Sequence, residues 1–207
     1  MNNKILIVGG GISGISIAND LSRNNEVLLI DKKENIGGLS YDYSCSATDK
    51  CNYCGWCLFD KNIKNLKQNK KVKILTNSYI KSVKSEKQFK VKIANNINDK
   101  LFSDDFSYII LASGGVQFDA KKKTRFGYGK FKKVITGYEL EKNLRSFDFK
   151  KNKNIAFIQC VGSRDKSLNA LYCSKVCCRY AIRMVNFINH KFPDINITIY
   201  YMDLQLG

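Results

Sequence analysis

One histidine, one tryptophan and one proline are all that 207 residues contain of those types, and 18 acidic residues face 35 basic ones. With His190 as the sole imidazole, no histidine-centred hydrolytic constellation can be assembled. That residue falls near the end of an amphipathic stretch, where it caps or faces solvent. No apolar run approaches the ~20 residues that a membrane-spanning helix requires, which leads to the expectation of a soluble chain with no transmembrane segment. Nothing in Met1-Asn-Asn-Lys4 has the pattern of a secretory leader, so the expected compartment is the cytoplasm, where thiols stay reduced. There is no internal repeat and no low-complexity linker. The shortage of acids leaves a formal net charge of +17, suited to an anionic cofactor, an acidic protein or nucleic acid. No helix-turn-helix and no stacked-aromatic signature accompanies that charge, and nucleic acid is not expected as a partner. The basic, glycine-rich stretch Ala120–Lys130 reads as a mobile surface loop in preference to a binding surface.

What is present begins at the N-terminus. A short apolar strand, Lys4–Val8, leads into Gly9-Gly-Gly11-Ile12-Ser13-Gly14, a helical pattern through Leu21, and a second strand, Glu26–Ile30, closed by Asp31. This is the G-x-G-x-x-G fingerprint in its full strand–helix–strand–acid setting. Gly9 permits the tight turn, Gly11 lets the backbone approach a pyrophosphate, and Gly14 lets helix and strand pack closely. The helix N-terminus then faces the negative charge, and Asp31 is placed to hydrogen-bond an adenosine ribose. Asp31-Lys32-Lys-Glu-Asn-Ile-Gly37-Gly38 resembles the acid-then-double-glycine loop of flavoproteins built from two dinucleotide domains. Tyr108–Ala112 followed by Ser113-Gly114 resembles their "hydrophobics-A-T-G" element, with serine in place of threonine. Taken in this order, the pieces point to FAD over NAD. Strand-like segments near 72–76, 79–84, 88–94 and 101–103 supply the small β-meander of such proteins, after a helix over 58–69.

All eight cysteines fall into two groups. Cys45, Cys51, Cys54 and Cys57 crowd into thirteen residues, with the C-x2-C-x2-C spacing of ferredoxin-type loops but without the proline that often follows the remote ligand. Structural zinc more often uses two C-x-x-C pairs set far apart, so an iron–sulfur cluster is favoured and zinc stays open. The second group is Cys160, Cys173, Cys177 and Cys178. Asn154–Gln159 reads as a buried strand, which puts Cys160 at its C-terminal end. The spacing of the other three places them on the first turns of one helix, Cys173 above Cys177 and Cys178 about 100° round. Thiolate-only clusters favour soft metals or iron–sulfur centres. A short helix over 137–144 precedes this group, and a strand over 195–201 follows it.

With these elements in order, the chain resembles the A subunit of heterodisulfide reductases and its relatives, including flavin subunits of quinone-interacting oxidoreductases. The most specific match is Cys160-Val-Gly-Ser-Arg-Asp165 followed by Tyr172-Cys-Ser-Lys-Val-Cys-Cys178. The resemblance implies FAD, a 4Fe–4S cluster ligated by Cys160, Cys173, Cys177 and Cys178, and flavin-mediated electron transfer among iron–sulfur and flavin partner subunits; with the 45–57 loop, two 4Fe–4S clusters are expected. The expected fold is α/β. A Rossmann-like FAD-binding domain with parallel sheet and β-meander spans 1–150, the 45–57 cysteine loop inserted. The start of a second, atypical dinucleotide-type α/β domain carrying an iron–sulfur site spans 151–207. Val161–Asp165 has a single glycine, so NAD(P)H is not expected there. The sequence stops before the glycine–aspartate segment that such flavoproteins place near the ribityl chain, so a complementary C-terminal half is expected as a partner. The rival readings are a zinc-bearing FAD-dependent thiol oxidoreductase and a non-enzymatic basic scaffold that docks a redox partner.

Overall fold

The computed structural model describes residues 3–151 and 153–206. It divides into two compact units, residues 1–43 with 55–115, and residues 44–54 with 116–207. Residues 116–150, assigned on sequence to the first domain, therefore group with the second cysteine stretch.

The first unit is a Rossmann-like half. β1 (Lys4–Val8), α1 (Ile12–Leu21), β2 (Glu26–Ile30), α2 (Trp56–Gln68), β3 (Val72–Leu75) and later β7 (Tyr108–Leu111) form a parallel sheet in the order β3-β2-β1-β7. Both faces of the sheet are covered, which is why β1 and β2 read as unbroken apolar runs and not as alternating ones. Ile5, Ile7, Val27 and Leu29 pack against Ile15 and Ala18 of α1 and Phe59 and Leu66 of α2. Their alternates Leu6, Leu28 and Ile30 pack against Val91, Ile93 and Phe106. Those last three belong to an antiparallel meander, β4 (Ser78–Ser85), β5 (Phe89–Asn95) and β6 (Leu101–Phe106). At about 25 cal/mol per Å² of buried apolar surface, this two-sided burial dominates the unit's stability.

The second unit packs α3 (Gly137–Lys142) and α4 (Cys177–Lys191) with two parallel strands, β8 (Asn154–Ile158) and β9 (Asn196–Tyr200). Thr136 caps α3: its hydroxyl accepts from the Glu139 N–H while the Glu139 carboxylate accepts from the Thr136 N–H at 2.7 Å. Ala181, Met184, Phe187 and Ile188 give α4 one buried face, packed with Leu140, Leu144, Phe149 and Phe157. Only alternate residues of the strands reach this core. Phe157 is buried, but Ile158 is 48% exposed, so β8 is not the buried strand its composition suggests. With two strands and α4 on one face, the opposite side chains of β8 and β9 stay open.

Candidate functional site

In the first unit the expected dinucleotide residues gather at the C-terminal edge of the parallel sheet, where open α/β sheets bind ligands. The turn after β1 depends on missing side chains. Gly9 has φ 109°, and a Cβ there would lie 2.3 Å from the Ala112 carbonyl oxygen. A Cβ on Gly14 would stand 1.9 Å from the Gly9 oxygen. The strand-end residues Ala112 and Ser113 thus lie alongside the glycine turn, with Ser113 and the following Gly114 exposed. Gly11 is different: only the Gly38 Cα comes within 4.0 Å of its would-be Cβ, so its lack of a side chain leaves open space. The second glycine pair folds onto the first, with the Gly37 N–H donating to the Gly10 carbonyl at 2.6 Å.

Asp31 has a role the sequence did not show. Its Oδ2 accepts the Gly10 N–H at 2.7 Å and its Oδ1 accepts the Lys33 N–H at 2.8 Å, so the carboxylate ties the phosphate-type loop to the end of β2. Each oxygen retains acceptor capacity for a ribose hydroxyl. Helix α1 begins at Ile12 with Gly11 as N-cap, no side-chain cap and no acid in its first turn, and Ile12 and Ser13 are exposed. Such an end is a ready anion site. The Lys32 side chain is exposed, and its carbonyl accepts from Asn96 Nδ2 at 3.1 Å.

The second unit holds the other centre. Cys160 follows β8 in a left-handed conformation (φ 59°), and α4 starts at Cys177. Cys173 therefore lies in the preceding loop, not on the helix as its spacing suggested. Lys175 at φ 58° breaks the helical path between them. That turn has a chemical consequence, because the Lys175 N–H points at the Cys173 sulfur at 3.3 Å and the Ser174 hydroxyl at the Cys177 sulfur at 3.4 Å. Cys178 is buried, its sulfur 3.8 Å from the Asp203 carbonyl oxygen. Burial raises the Cys160 thiol above its usual range, with the Cys177 sulfur adding to the rise and Arg164 and the Met202 backbone opposing it. The Arg164 guanidinium is held above its ordinary range, first by its bond to Asp203 and then by the charges of Cys160 and Cys173. Cys160 thus shares an electrostatic neighbourhood with Cys177 and Cys178, and Arg164 with Cys160 and Cys173. Among the described residues, no three His, Cys, Asp or Glu side chains converge to metal-ligand spacing. The donor chemistry nonetheless suits a thiolate-bound group, since N–H and O–H donors aimed at sulfur stabilise the thiolate form.

The Met202–Asp203 segment did not stand out in the sequence and Arg164 did so only as part of the Cys160–Asp165 motif, because no spacing rule marks a backbone donor or assigns a role to a lone arginine. The loop at 120–130, expected to be a surface loop, is tied to its surroundings through Lys123. A Cβ on Gly162 would lie 2.2 Å from the Phe118 ring, so Phe118 fills the space beside the Cys160 loop. Lys123 is only 11% exposed; it pairs with Asp165 and donates to the Ser167 hydroxyl at 2.6 Å. These contacts hold the segment in place.

The 45–57 group is divided: Cys45, Cys51 and Cys54 belong to the second unit, and Cys57 lies in the first turn of α2 in the first. Arg145 clamps the Cys45 carbonyl through Nε at 2.8 Å and through Nη2, and Asn52 Nδ2 donates to the Ser46 carbonyl at 2.7 Å. Tyr53, at φ 49°, aims its N–H at the Cys51 sulfur at 3.4 Å, the same device as at Cys173. The Ser46 hydroxyl is fully buried and has no hydrogen-bond partner among the described residues.

Comparison with known proteins agrees with this picture. The NAD(P)-binding Rossmann-like domain family matches residues 7–71. The A subunit of the H(2):CoB-CoM heterodisulfide,ferredoxin reductase of Methanothermobacter marburgensis is 43% identical over 108 residues, 47% of this chain and 16% of that protein. The second of two iron-sulfur A subunits of the CoB--CoM heterodisulfide reductase of Methanopyrus kandleri is 26% identical over 292 aligned residues, 99% of this chain and 44% of that protein. Among solved structures, L-proline dehydrogenase from P. horikoshii superposes with a TM-score of 0.55 at 17% identity, covering 96% of this chain and 35% of that one. This last likeness supports the fold alone. The chain spans less than half the length of these curated relatives. The chain is similar to the heterodisulfide reductase A subunits over part of their length.

Proposed function

We propose that this chain is an electron-transfer flavoprotein portion of a heterodisulfide-reductase-like oxidoreductase, passing electrons between FAD and 4Fe–4S clusters and working with further iron–sulfur and flavin subunits. The observation that carries this reading is the cradle of the first unit. There Gly10 and Gly11 meet Gly37 and Gly38 backbone to backbone, Gly9 packs on the Ala112 backbone, and α1 begins at Ile12 with no side-chain cap. In it, Gly11, Ile12, Ser13 and Gly14 would present backbone N–H groups to a pyrophosphate, and Asp31 would accept from the adenosine ribose. Lys32, Gly37, Gly38, Ala112, Ser113 and Gly114 would border the rest of the cofactor. FAD exchanges electrons singly or in pairs and 4Fe–4S clusters exchange them singly, so together they would link two-electron and one-electron carriers.

In the second unit Cys160, Cys173, Cys177 and Cys178 would be the ligands of one cluster. The Lys175 N–H, the Ser174 hydroxyl and the Met202 backbone would hydrogen-bond three of the ligand sulfurs. Cys45, Cys51, Cys54 and Cys57 would be the ligands of the other, on the strength of their spacing and of the Tyr53 N–H donated to Cys51. The unpartnered Ser46 hydroxyl is a further donor available in that loop. A reducing compartment such as the cytoplasm suits eight ligand thiols. The test is anaerobic purification with quantification of flavin, iron, sulfide and zinc. About eight irons and one FAD per chain are expected for one flavin and two 4Fe–4S centres. Zinc without sulfide would overturn the electron-transfer reading.

A further inference from the structure

Two cations lie between Cys160 and Cys173. Lys166 is exposed on a surface turn, whereas Arg164 is folded into the cysteine loop. Its backbone takes the left-handed conformation (φ 54°), which a non-glycine residue adopts only when its surroundings enforce it. Here the surroundings are explicit. The Arg164 N–H donates to the Tyr172 carbonyl at 3.0 Å, and Asp165 and Ala170 exchange reciprocal bonds of 2.9 and 3.0 Å. This closes a small loop that brings Arg164 against the residue immediately before Cys173. The guanidinium then pairs with the Asp203 carboxylate. Asp203 is itself part of the thiol environment, its carbonyl facing Cys178 and its neighbour Met202 facing Cys160.

We propose that Arg164 is a positioning residue that sets the reduction potential of the centre held by Cys160, Cys173, Cys177 and Cys178, with Asp203 as its opposing charge. The inference rests on the ligand assignment made above. The physical reason is charge. A thiolate-ligated iron–sulfur unit gains one negative charge when it takes one electron, and in a titration that electron comes from added dithionite with no proton required. A fixed cation nearby favours the more negative state and raises the potential, while a fixed anion does the reverse; net charge around the sulfurs is among the levers that set such potentials. Arg164 is 29% exposed and Asp203 49%, so water screens the anion more than the cation and the pair has a net positive influence.

The test is an anaerobic potentiometric titration of the reduced-state EPR signal in the full chain. It is run in a Cys54→Ala background so that the 45–57 ligand set is incomplete. Iron and sulfide are quantified in every preparation. Arg164→Gln should move the midpoint negative, with a reduced-to-oxidised ratio at fixed poise roughly tenfold lower, equivalent to about 59 mV for a one-electron couple. Arg164→Lys should restore most of that shift, and Asp203→Asn should move the midpoint positive. A purely structural role would change iron content or melting temperature without this opposition of sign. Should Arg164→Gln lose its iron, Asp203→Asn decides the matter, and the lack of a positive shift there overturns the proposal. An unchanged midpoint in iron-replete Arg164→Gln overturns it too, as does a shift of both variants in the same direction. Iron and sulfide missing from the background chain itself would instead overturn the ligand assignment, and the role of Arg164 with it.

Discussion

The glycine cradle and the cysteine loop solve opposite problems with the same backbone region. In the cradle, left-handed or crowded positions fall on Gly9, Gly14, Gly37 and Gly38, and the site is a surface of main-chain atoms. In the cysteine loop only Gly162 among the left-handed positions is a glycine; Cys160, Arg164, Asn169 and Lys175 carry side chains, and at Cys160, Arg164 and Lys175 strain is accepted to aim side chains or the backbone N–H at the sulfurs. A site of backbone is made by leaving side chains out, which costs conformational entropy but little strain. A site of sulfurs needs its side chains, and hydrogen bonds such as that of the Lys175 N–H to Cys173 help offset the strain.

Single methyl groups should break the two sites separately, and these are the largest effects expected. Gly14→Ala puts a Cβ 1.9 Å from a backbone oxygen and Gly162→Ala puts one 2.2 Å from the Phe118 ring at φ 89°. Neither neighbour can yield without moving backbone or a packed ring, so each substitution should cost about 3 kcal/mol or more. Gly14→Ala should abolish flavin retention and spare iron at the second centre, whereas Gly162→Ala should lower iron content first. Gly11→Ala sharpens the contrast, because open space surrounds its Cβ. It should fold with an unchanged melting temperature yet bind FAD about tenfold more weakly if the pyrophosphate approaches there. Flavin content, iron content and thermal melting of the three variants check this set.

Next in size is the comparison between the two cysteine groups. Cys177 opens a helix whose buried face is the core of its unit, and Cys178 beside it is buried. Cys54 lies in a stretch without helix or strand. Cys177→Ala should therefore lower both iron content and melting temperature. Cys54→Ala should leave the melting temperature within a few degrees of the parent and mainly slow electron exchange with an external acceptor. The opposite ranking, measured anaerobically, would exchange the structural and peripheral roles of the two centres.

Asp31 has an intermediate effect. Asp31→Ala should remove the proposed ribose acceptor, and it strands the buried Gly10 N–H, each an effect of about 1–3 kcal/mol. Flavin affinity and the melting temperature of the flavin-free chain should both fall. A loss of affinity with unchanged flavin-free melting would mean that the bond to Gly10 carries no stability.

These positions also explain which features could be read in advance. The strands of the Rossmann-like half were legible because hydrophobic period, glycine spacing and a terminal acid are local signals that agree with one another. The segment at 72–76, read as the first meander strand, is instead β3 of the parallel sheet, because strand pairing is a long-range choice that local period does not reveal. The start of α4 was not legible: Cys173 and Cys177 are at helical spacing, but Lys175 in the left-handed region cancels the helix, and no residue type there announces it. Asp31 was legible as the acid that closes β2, but not as the tie to Gly10, since a carboxylate's backbone partners depend on the folded loop. Arg164 needs Asp203, 39 residues away, before its placement has meaning.

The smallest expected effect concerns the strap that holds 118–126 to the Cys160 loop, and it has a definite sign. The Asp165 carboxyl is held down to about 2, first by its hydrogen bond to Lys123 and then by those from Ser167. An aspartate in an unfolded chain titrates near ~3.9. Because the folded value is the lower one, the unfolded chain takes up the proton more readily. The stabilisation is fully present above about pH 4 and is lost as the pH falls through about 2. Asp165→Asn removes that dependence while keeping an acceptor for the Ser167 N–H at 2.9 Å. In metal-free chain, unfolding midpoints of parent and variant should differ at pH 6 and converge as the pH is lowered toward 2, with hydrogen exchange at 118–126 rising in the parent over the same window. A difference that grows on acidification would mean that the Lys123–Asp165 pair does not hold the strap.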